Sequence, residues 1–323
     1  MDSFAMPTIS VIVPNYNHAP FLRQRLDSIF NQTFQDFEVI ILDDCSTDNS
    51  KEIIEEYRKR PQVSHIVYNE TNSGSPFKQW AKGFDLAHGE YIWIAESDDW
   101  AELNFLDELM PAINQKQDVL VAFCQSVYSY NDSSKTADFL SSSSVMKGKD
   151  FFNNHMLFCN SICNASSVLF RKAALKKIPS FYQNFHGAGD YLFWIEFLLI
   201  GDVAYIHKPL NHFRQHSSNT TTTNRTSGNE FYELHQIFSY LCKRNAISFF
   251  MKKVLILHYI NRIELAYQYD KLEENKYKEL YHLWGGRFYV LFLKFYVSCG
   301  KSIWKIASFS KKKINLGLIY ERK

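Results

Sequence analysis

The sequence predicts an α/β fold in which a parallel sheet carries helices on both faces. Two observations lead to this prediction. Short runs rich in β-branched residues, such as TISVIV at 8–13, stop at Pro, Asn, Asp or Gly, which is typical of buried strands. Between them lie stretches such as 19–31, whose apolar residues recur at helical spacing. Such alternation favours parallel strands joined by crossing helices.

The predicted elements follow one another closely in the first part of the chain. Strands are predicted at 8–13, 37–44, 63–69 and 91–96, and helices at 19–31, 49–59, 76–87 and 102–110. The second and fourth strands are continuous apolar runs that end on acidic residues. Gly89 closes the third helix, while Ser46 and Asp48 form a loop and cap ahead of the second.

The remainder of the chain is less regular. Residues 131–149 are polar and Ser-rich, which predicts a flexible surface loop, and 217–229 has the composition of a linker or mobile loop. Between them, ASSVLF predicts a strand and DYLFWIEFLLIG a helix. We therefore expect one domain at 1–220 and a mainly helical C-terminal region at 221–323.

Composition and charge disfavour several classes of protein. The net charge of +2 is too small to argue for nucleic acid binding. Of six scattered cysteines only Cys159 and Cys163 lie close together, without the paired spacings of a zinc site, so we expect free thiols in a cytosolic chain. No basic signal-peptide region opens the sequence, and no apolar run reaches the roughly 18 residues of a membrane-spanning helix.

Two acidic clusters directly follow predicted strands: DDCSTDNS at 43–50 and AESDDW at 95–100. Ligands of open α/β sheets bind beyond the carboxyl ends of the strands, so both clusters can converge on one crevice. Neighbouring carboxylates repel one another unless a cation lies between them. Mg²⁺ and Mn²⁺ prefer oxygen ligands and often share them with substrate phosphates. The alternative is a pair of solvated turns that cap the following helices.

Three segments of the chain resemble family 2 glycosyltransferases, whose nucleotide-sugar-binding domain has the GT-A fold, a Rossmann-like mixed sheet with helices on both faces. They are TISVIVPNYNHAPFLRQRLDSIFNQTFQDFEVIILDDCSTDNS, LAHGEYIWIAESDDW and GDYLFWIEFLLIGDVAYIHKPLNHFRQHSSNT. They occur in the family's order and at its usual separations. The resemblance covers roughly residues 7–220.

The resemblance implies a function for each residue at a matching position. It assigns nucleotide binding to Pro14, Tyr16, Asn17, Asp43, Asp44, Lys78 and Asp98, and binding of Mn²⁺ or Mg²⁺ to Glu96, Asp98 and Asp99. It assigns the general base to Asp190, phosphate contacts to Arg214 and His216, and donor-sugar or acceptor contacts to Asn164 and Ser166. Which of the two adjacent aspartates binds the metal directly stays open.

Several of these residues have simpler interpretations. Asp190 is either the general base, a role typically worth about 10²–10⁴ in rate, or the N-cap of the helix that follows. Trp80 stands where many relatives carry an arginine, and we expect it to pack in the core. Lys78 either replaces that arginine's charge against the diphosphate or is a solvated helix residue.

The C-terminal third has features of a protein that binds a membrane surface. Residues 281–313 are rich in aromatic side chains, and 301–323 contain seven Lys or Arg against one acid, Glu321. Aromatic-rich amphipathic helices with basic ends bind anionic membrane surfaces. A helical subdomain that packs on the catalytic domain and a dimer contact are the alternatives.

By the resemblance, the expected activity is inverting transfer of a sugar from a nucleoside-diphosphate donor, with a UDP-sugar favoured. The acceptor would be a hydroxyl of a glycan or lipid-linked saccharide in surface polysaccharide biosynthesis. We expect a cytoplasmic protein, peripheral on the inner face of the cytoplasmic membrane. A non-catalytic nucleotide-sugar or glycan-binding module is the alternative. A nucleotidyltransferase is disfavoured, because PNYNHAP lacks the Gly and Lys of a phosphate loop. The donor sugar, the acceptor, the linkage and the oligomeric state stay open.

Overall fold

A computed structural model of the chain describes residues 6–130, 133–137, 140–216, 227–269, 272–286 and 291. The described residues form two compact units. The first contains those up to Asn154 together with Ser161–His216, and the second contains His155–Asn160 and those after His216. The expected linker at 217–229 falls mostly outside the described residues.

The strands of the first unit belong to one sheet. They are β1 (Ile9–Asn15), β2 (Phe37–Asp43), β3 (Val63–Tyr68), β4 (Tyr91–Ile94), β5 (Trp100–Ala101), β6 (Val119–Ser129), β7 (Ser134–Thr136), β8 (Ser144–Met146), β9 (Val168–Arg171) and β10 (Asp202–Arg214). Along the sheet the order is β3-β2-β1-β4-β9-β6-β10-β5, and β7 and β8 pair with β6 and β10.

The helices of the first unit are α1 (Ala19–Phe30), α2 (Ser50–Tyr57), α3 (Pro76–Leu86), α4 (Phe105–Ile113), α5 (Gly148–Phe151) and α6 (Gly189–Ile200). Those of the second unit are α7 (Asn229–Lys243), α8 (Phe249–Gln268) and α9 (Glu274–Leu283). The strands and helices predicted in the first 113 residues are therefore present, with ends that differ by a few residues.

The sheet is mixed, so the prediction of parallel strands from the alternation alone was incomplete. β1 is parallel to β2 and β4, and β10 is parallel to β6. β9 lies antiparallel between β4 and β6. A reversed strand between two others leaves those two running in the same direction, so β4, β6 and β10 all point toward one edge.

The prediction of a flexible surface loop at 131–149 was incomplete, because part of this segment has regular secondary structure. Short strands β7 and β8 lie within it, and α5 begins at Gly148. β7 pairs with β6 and β8 with β10, both antiparallel. The polar residues of β7 and β8 have little intrinsic preference for a strand. These segments become strands because they pair with backbone N–H and C=O groups of the longer strands β6 and β10.

Each face of the sheet is covered by its own set of helices. Val11 and Val13 of β1 belong to a buried cluster with apolar residues of α1, α2 and α4. Ile12 points to the opposite face and lies against Gly83 of α3. On that face Phe170 of β9 contacts Phe193 and other aromatic residues of α6. Alternating side chains of one strand thus bury both faces, as expected for a central strand.

The second unit has its own aromatic core. Tyr259 of α8 stacks on Trp284 at 5.0 Å between ring centroids and contacts Phe238 of α7 at 5.2 Å. Among the described residues, the helices lack the combined length and apolar character needed to cross a bilayer. Nearly all of 287–323, including the basic stretch 301–323, lies outside the described residues.

The turn at residues 88–89, just before β4, is held against β1 by hydrogen bonds. The Ser10 hydroxyl accepts a hydrogen bond from Gly89 N at 2.8 Å and donates to Glu38 Oε1 at 2.7 Å. The same carboxylate oxygen accepts from His88 N at 2.7 Å. These bonds bring the backbone of residue 89 onto β1, leaving no room for a side chain.

Gly89→Ala is expected to lower the free energy of unfolding by about 3 kcal/mol. A Cβ there would lie 2.6 Å from Ser10 N and 2.7 Å from the Ile9 carbonyl carbon, which belong to a central strand and cannot move aside. Urea unfolding measures the loss. Gly74→Ala is the control, because its surroundings are open and only its φ of +73° opposes alanine, at a cost of about 1 kcal/mol. Equal losses of unfolding free energy in the two variants would contradict the close approach of residue 89 to β1.

Candidate active site

The candidate site lies at the edge of the sheet where β1, β2, β4 and β10 end. Because these strands run in the same direction, the segments that follow them meet at this edge. They are 16–18 after β1, 44–48 after β2, 95–99 after β4 and 215–216 after β10. Direct hydrogen bonds join neighbouring segments, which places both acidic clusters on this edge.

The loop after β1 is tied to the loop after β2. Asn15 donates from Nδ2 to Asp43 Oδ2 at 2.8 Å, and Asn17 N donates to the Ser46 hydroxyl at 2.9 Å. Asn17 has a left-handed φ of 55°, and its side-chain oxygen accepts from Thr47 N at 2.7 Å. Asp43 and Asn17, both predicted to bind the nucleotide, therefore support the shape of this pocket wall.

The Asp44 carboxylate is buried and organises the segment before α3. It accepts hydrogen bonds from Asn69 Nδ2 at 2.6 Å and from the side-chain amide of Gln79 at 2.9 Å. The Ser73 hydroxyl donates to its other oxygen at 2.7 Å. A base contact by Asp44 stays a prediction, and in this structure its oxygens hold residues 69–79 in place.

The other predicted nucleotide-binding residues differ in exposure. Pro14 is buried within β1, whereas Tyr16 leaves 46% of its surface exposed. Lys78 is exposed on α3 and donates from Nζ to the Ser73 carbonyl at 2.9 Å. Trp80 is buried, as expected from its sequence position. Tyr16 is therefore the exposed aromatic residue among the predicted nucleotide-binding residues, and its ring has a face that a flat base could reach.

Glu96 is half-buried at the first acidic position of the loop. Its Oε1 accepts a hydrogen bond from Trp80 Nε1 at 2.8 Å. Burial, reinforced by the negative charge of Asp98, raises the pKa of Glu96 to about 8. Glu96 is thus engaged by the Trp80 indole in this structure, and its predicted metal binding stays a prediction.

Asp99 is buried and bound from two sides. Asn164 donates to its Oδ2 from Nδ2 at 2.6 Å, and the Arg214 backbone N–H donates to Oδ1 at 3.0 Å. Asn211 in turn donates to Asn164 Oδ1 at 3.0 Å. Burial, together with the charge of Asp98, raises the pKa of Asp99. This carboxylate joins the acidic loop to β10.

Ser166 lies beneath the same loop and is fully buried. Its hydroxyl accepts a hydrogen bond from Glu96 N at 3.1 Å, and its carbonyl accepts from Trp93 Nε1 at 2.9 Å. The contacts of Asn164 and Ser166 favour a positioning role for both residues. Their predicted contacts with the donor sugar or acceptor stay a prediction.

Asp98 lies among histidines. His216 Nε2 is 3.0 Å from Asp98 Oδ2, and the His18 and His216 rings meet edge to face at 5.8 Å. His18 Nδ1 also lies 2.8 Å from the Ser97 hydroxyl. One ligand atom from each of His18, Asp98 and His216 falls within 4.8 Å of the others. Burial alone would raise the pKa of Asp98, but the hydrogen bond from His216 and the charge of His18 lower it.

Arg214 is held flat beside this cluster. Its guanidinium carbon lies 4.6 Å from the Phe21 ring centroid and 4.5 Å from that of Trp100. Its Nε donates to the Asp98 carbonyl at 2.8 Å. Two aromatic faces and an anchored Nε fix the guanidinium next to the acidic loop, where a diphosphate would require a positive charge.

Two residues of the site were missed by the sequence analysis. His18 directly precedes α1, and a single histidine in a loop carries no signal of its own. Arg25 of α1 is fully buried with its guanidinium 4.8 Å from the Trp93 ring centroid. None of its three nitrogens has a hydrogen-bond partner among the described residues. Burial lowers the pKa of Arg25 to about 10, against the opposing charges of Asp99 and the other acids of the loop.

Asp190 lies in the first turn of α6, and the N-cap is Ala188, so the simple capping interpretation was wrong. The preceding segment packs on residues 73–77. Ser75 Oγ donates to the Phe185 carbonyl at 3.1 Å, and the His186 ring lies 3.0 Å from the Gly74 carbonyl. Because Asp44 holds that same segment, the chain just before Asp190 is connected to the acidic cluster that follows β2.

The resemblance found in the sequence is confirmed by comparison with known proteins. A model of glycosyl transferase family 2 matches residues 10–178. An uncharacterized glycosyltransferase of Haemophilus influenzae is 26% identical over 280 residues, which are 84% of this chain and 83% of that protein. The poly(ribitol-phosphate) beta-N-acetylglucosaminyltransferase TarS of Staphylococcus aureus is 36% identical over 119 residues, 36% of this chain and 21% of TarS.

A solved structure confirms the fold class. The crystal structure of S. aureus TarS 1–349 in complex with UDP-GlcNAc superposes with a TM-score of 0.58 at 22% identity. The match covers 84% of this chain and 70% of that chain. At this identity the likeness concerns the fold alone.

Glu96→Gln is expected to remove a pH dependence of stability. The folded pKa of about 8 exceeds the ordinary value of 4.5, so the folded state holds a proton that the unfolded state releases. Between these values the free energy of unfolding of the wild type falls by up to about 1.4 kcal/mol per pH unit relative to the variant. Glutamine keeps the oxygen that accepts from Trp80. Urea unfolding from pH 5 to 9 in EDTA measures the free energy of unfolding of both proteins. If it changes with pH in the same way in the wild type and in Glu96→Gln, the raised pKa of Glu96 is wrong.

Proposed function

This chain belongs to glycosyl transferase family 2, and on that basis we propose that it transfers a sugar from a UDP-sugar to a hydroxyl of a glycan or lipid-linked saccharide, with inversion and with the help of a divalent metal. The observation that carries the proposal is the meeting of Asp98, His18 and His216 at one sheet edge. This edge is where open α/β sheets bind their ligands.

The preference for a UDP-sugar rests on the pocket wall and on relatives. The exposed Tyr16 ring offers a face on which a pyrimidine can stack, and Asp43 and Asp44 stay the predicted partners of the base and ribose. TarS is named an N-acetylglucosaminyltransferase, and its structure was solved with UDP-GlcNAc. These facts favour a uracil nucleotide and an N-acetylhexosamine or hexose.

The donor set at Asp98 fits a divalent transition metal. Two imidazole nitrogens and one carboxylate oxygen favour Mn²⁺ over Mg²⁺, because Mg²⁺ prefers oxygen ligands alone. We therefore assign His18, Asp98 and His216 as ligands, in place of the three acids expected from the motif. Bound there, the ion would act as a Lewis acid for the departing diphosphate.

The guanidinium of Arg214 would stabilise the negative charge that develops on the departing diphosphate. Arg214 is fixed between two aromatic rings and presents its guanidinium beside the acidic loop. A group that is already oriented needs no reorganisation when charge develops on the leaving group. In this proposal Arg214 contacts the phosphates, whereas His216, predicted from the sequence as a phosphate contact, serves as a metal ligand.

Asp190 is the proposed general base. Its carboxylate would take the proton of the acceptor hydroxyl as that oxygen attacks the anomeric carbon from the side opposite the diphosphate. One in-line displacement inverts the anomeric centre, so an α-linked donor gives a β-linked product. Asp190 lies in the first turn of α6, a position that the fold fixes at the start of a buried helix.

The acceptor is proposed to belong to surface polysaccharide assembly, as the name of TarS indicates for that relative. A cytoplasmic enzyme that works at the inner face of the membrane suits a lipid-linked acceptor. The cytoplasmic location and the boundary between a catalytic domain at 1–220 and a C-terminal region at 221–323 are part of the proposal.

UDP and Mn²⁺ together are expected to raise the melting temperature by several degrees, because ligands that bind only the folded state stabilise it. His18→Ala should remove the manganese-dependent part and weaken Mn²⁺ binding about 10–100-fold. His65→Ala is the matched control, since His65 is a half-buried histidine of β3 outside the proposed ligand set. If the melting temperature of the wild type does not change with UDP and Mn²⁺ but rises with another nucleotide, the assignment of a UDP-sugar as donor is wrong.

Asp190→Asn is expected to lower the rate of sugar transfer about 10²–10⁴-fold and to leave manganese-dependent UDP binding intact. Asparagine has the same shape but cannot take the proton. Transfer is measured with radiolabelled donor, and binding by calorimetry. Asp85→Asn, an acid on α3 outside the proposed site, serves as the control. Equal transfer rates in wild type and Asp190→Asn would exclude this residue as the base.

A further inference from the structure

The second unit carries a concentration of positive charge at one corner. Residues 243–253, which end α7, form the following turn and begin α8, are called here the basic corner. They contain Lys243, Arg244, Lys252 and Lys253, and the sequence has no acid between residues 234 and 263. Ordinary helical surfaces mix both signs, so this corner is suited to an anionic partner.

Apolar side chains project from the same corner. Phe249, the first residue of α8, leaves 74% of its surface exposed, and Phe250 and Met251 behind it are half-buried. The Lys253 ammonium lies 4.6 Å from the centroid of the Phe249 ring. An exposed aromatic ring in contact with a lysine, on a segment that carries three further cations, is typical of segments that enter the boundary between lipid headgroups and acyl chains.

The turn that presents this tip is well defined by its own contacts. Asn245 takes a left-handed φ of 57°, and Ala246 N donates to the Leu241 carbonyl at 3.0 Å. Ile247 is buried, and the Ser248 hydroxyl accepts from Met251 N at 3.2 Å as the N-cap of α8. Exposure of Phe249 is therefore a consequence of an ordered turn that anchors Ile247 and leaves the next side chain outside.

The opposite end of α8 has the reverse character. From residue 264 to 279 the sequence contains five acids, Glu264, Asp270, Glu273, Glu274 and Glu279, against three lysines. Tyr269, just after the helix, is 67% exposed. The twenty residues of α8 span about 30 Å at 1.5 Å per residue, so the two exposed aromatic residues lie in electrostatically different surroundings.

We infer that the basic corner binds an anionic lipid surface, with Phe249 inserted among the headgroups and the four cations above them. This contact goes beyond the proposed transfer reaction and involves different residues from the C-terminal stretch in which the sequence indicated membrane binding. A soluble polyanion would be attracted by the same cations, but it would gain nothing from Phe249. The coincidence of both features favours lipid.

The first experiment locates the contact on the full-length chain. Phe249→Trp and Tyr269→Trp are each mixed with vesicles of brominated phosphatidylglycerol and phosphatidylcholine, and the fluorescence added by the new tryptophan is followed. Bromine quenches only an indole that enters the bilayer, so quenching is expected at 249 and not at 269. Equal quenching at both positions, or none at 249, would overturn the inference.

The second experiment measures partitioning into the same vesicles by flotation. Lys252→Glu is expected to weaken binding to phosphatidylglycerol vesicles about tenfold, and Phe249→Ser by a similar factor, whereas Tyr269→Ser binds like the wild type. A loss with Lys252→Glu but not with Phe249→Ser identifies a polyanion-binding site and rejects lipid insertion. Donor hydrolysis without vesicles should be unchanged in Phe249→Ser, which separates this inference from the proposed function.

Discussion

Three carboxylates within four residues of one buried loop form the constraint on which the candidate site depends. Ionised together in a low-dielectric environment, Glu96, Asp98 and Asp99 would repel one another strongly. The structure relieves the repulsion differently at each position. Glu96 accepts a hydrogen bond from an indole N–H, Asp98 lies beside two histidines, and Asp99 accepts bonds from an amide and a backbone N–H. The pKa values of Glu96 and Asp99 are raised, whereas that of Asp98 is lowered. The buried cation of Arg25 lowers the remaining cost from within the core.

Two groups of partners of the acidic loop come from distant parts of the chain, and the sheet brings them to it. The reversed strand β9 starts beneath the loop, which brings Asn164 and Ser166 against it. β10 runs in the same direction as β4 and ends beside it, so Arg214 and His216 arrive at the same edge. A change of direction in either strand would leave the carboxylates without these donors.

The position of the proposed base depends on a second set of contacts. Asp44 holds residues 69–79 through bonds from Asn69, Ser73 and Gln79. The segment before Asp190 then packs on residues 73–77 through both a hydroxyl and a histidine ring. An acid that resembles a nucleotide ligand in the sequence is, in this structure, also a support for the wall that carries the base.

The sequence by itself determined the fold class and the two acid-tipped strands, because short apolar runs and helical periodicity are local properties of the chain. Its resemblance to family 2 glycosyltransferases also implied site roles for Asp98, Asp190 and His216, which stay predictions. Tertiary structure decided that Glu96 faces an indole and that His18 joins Asp98, and it placed Arg25 beneath them. These assignments depend on which side chains meet across strands far apart in sequence. Burial and nearby charges then shift the pKa of each ionisable side chain, and neither can be predicted from the residues adjacent to it in the sequence.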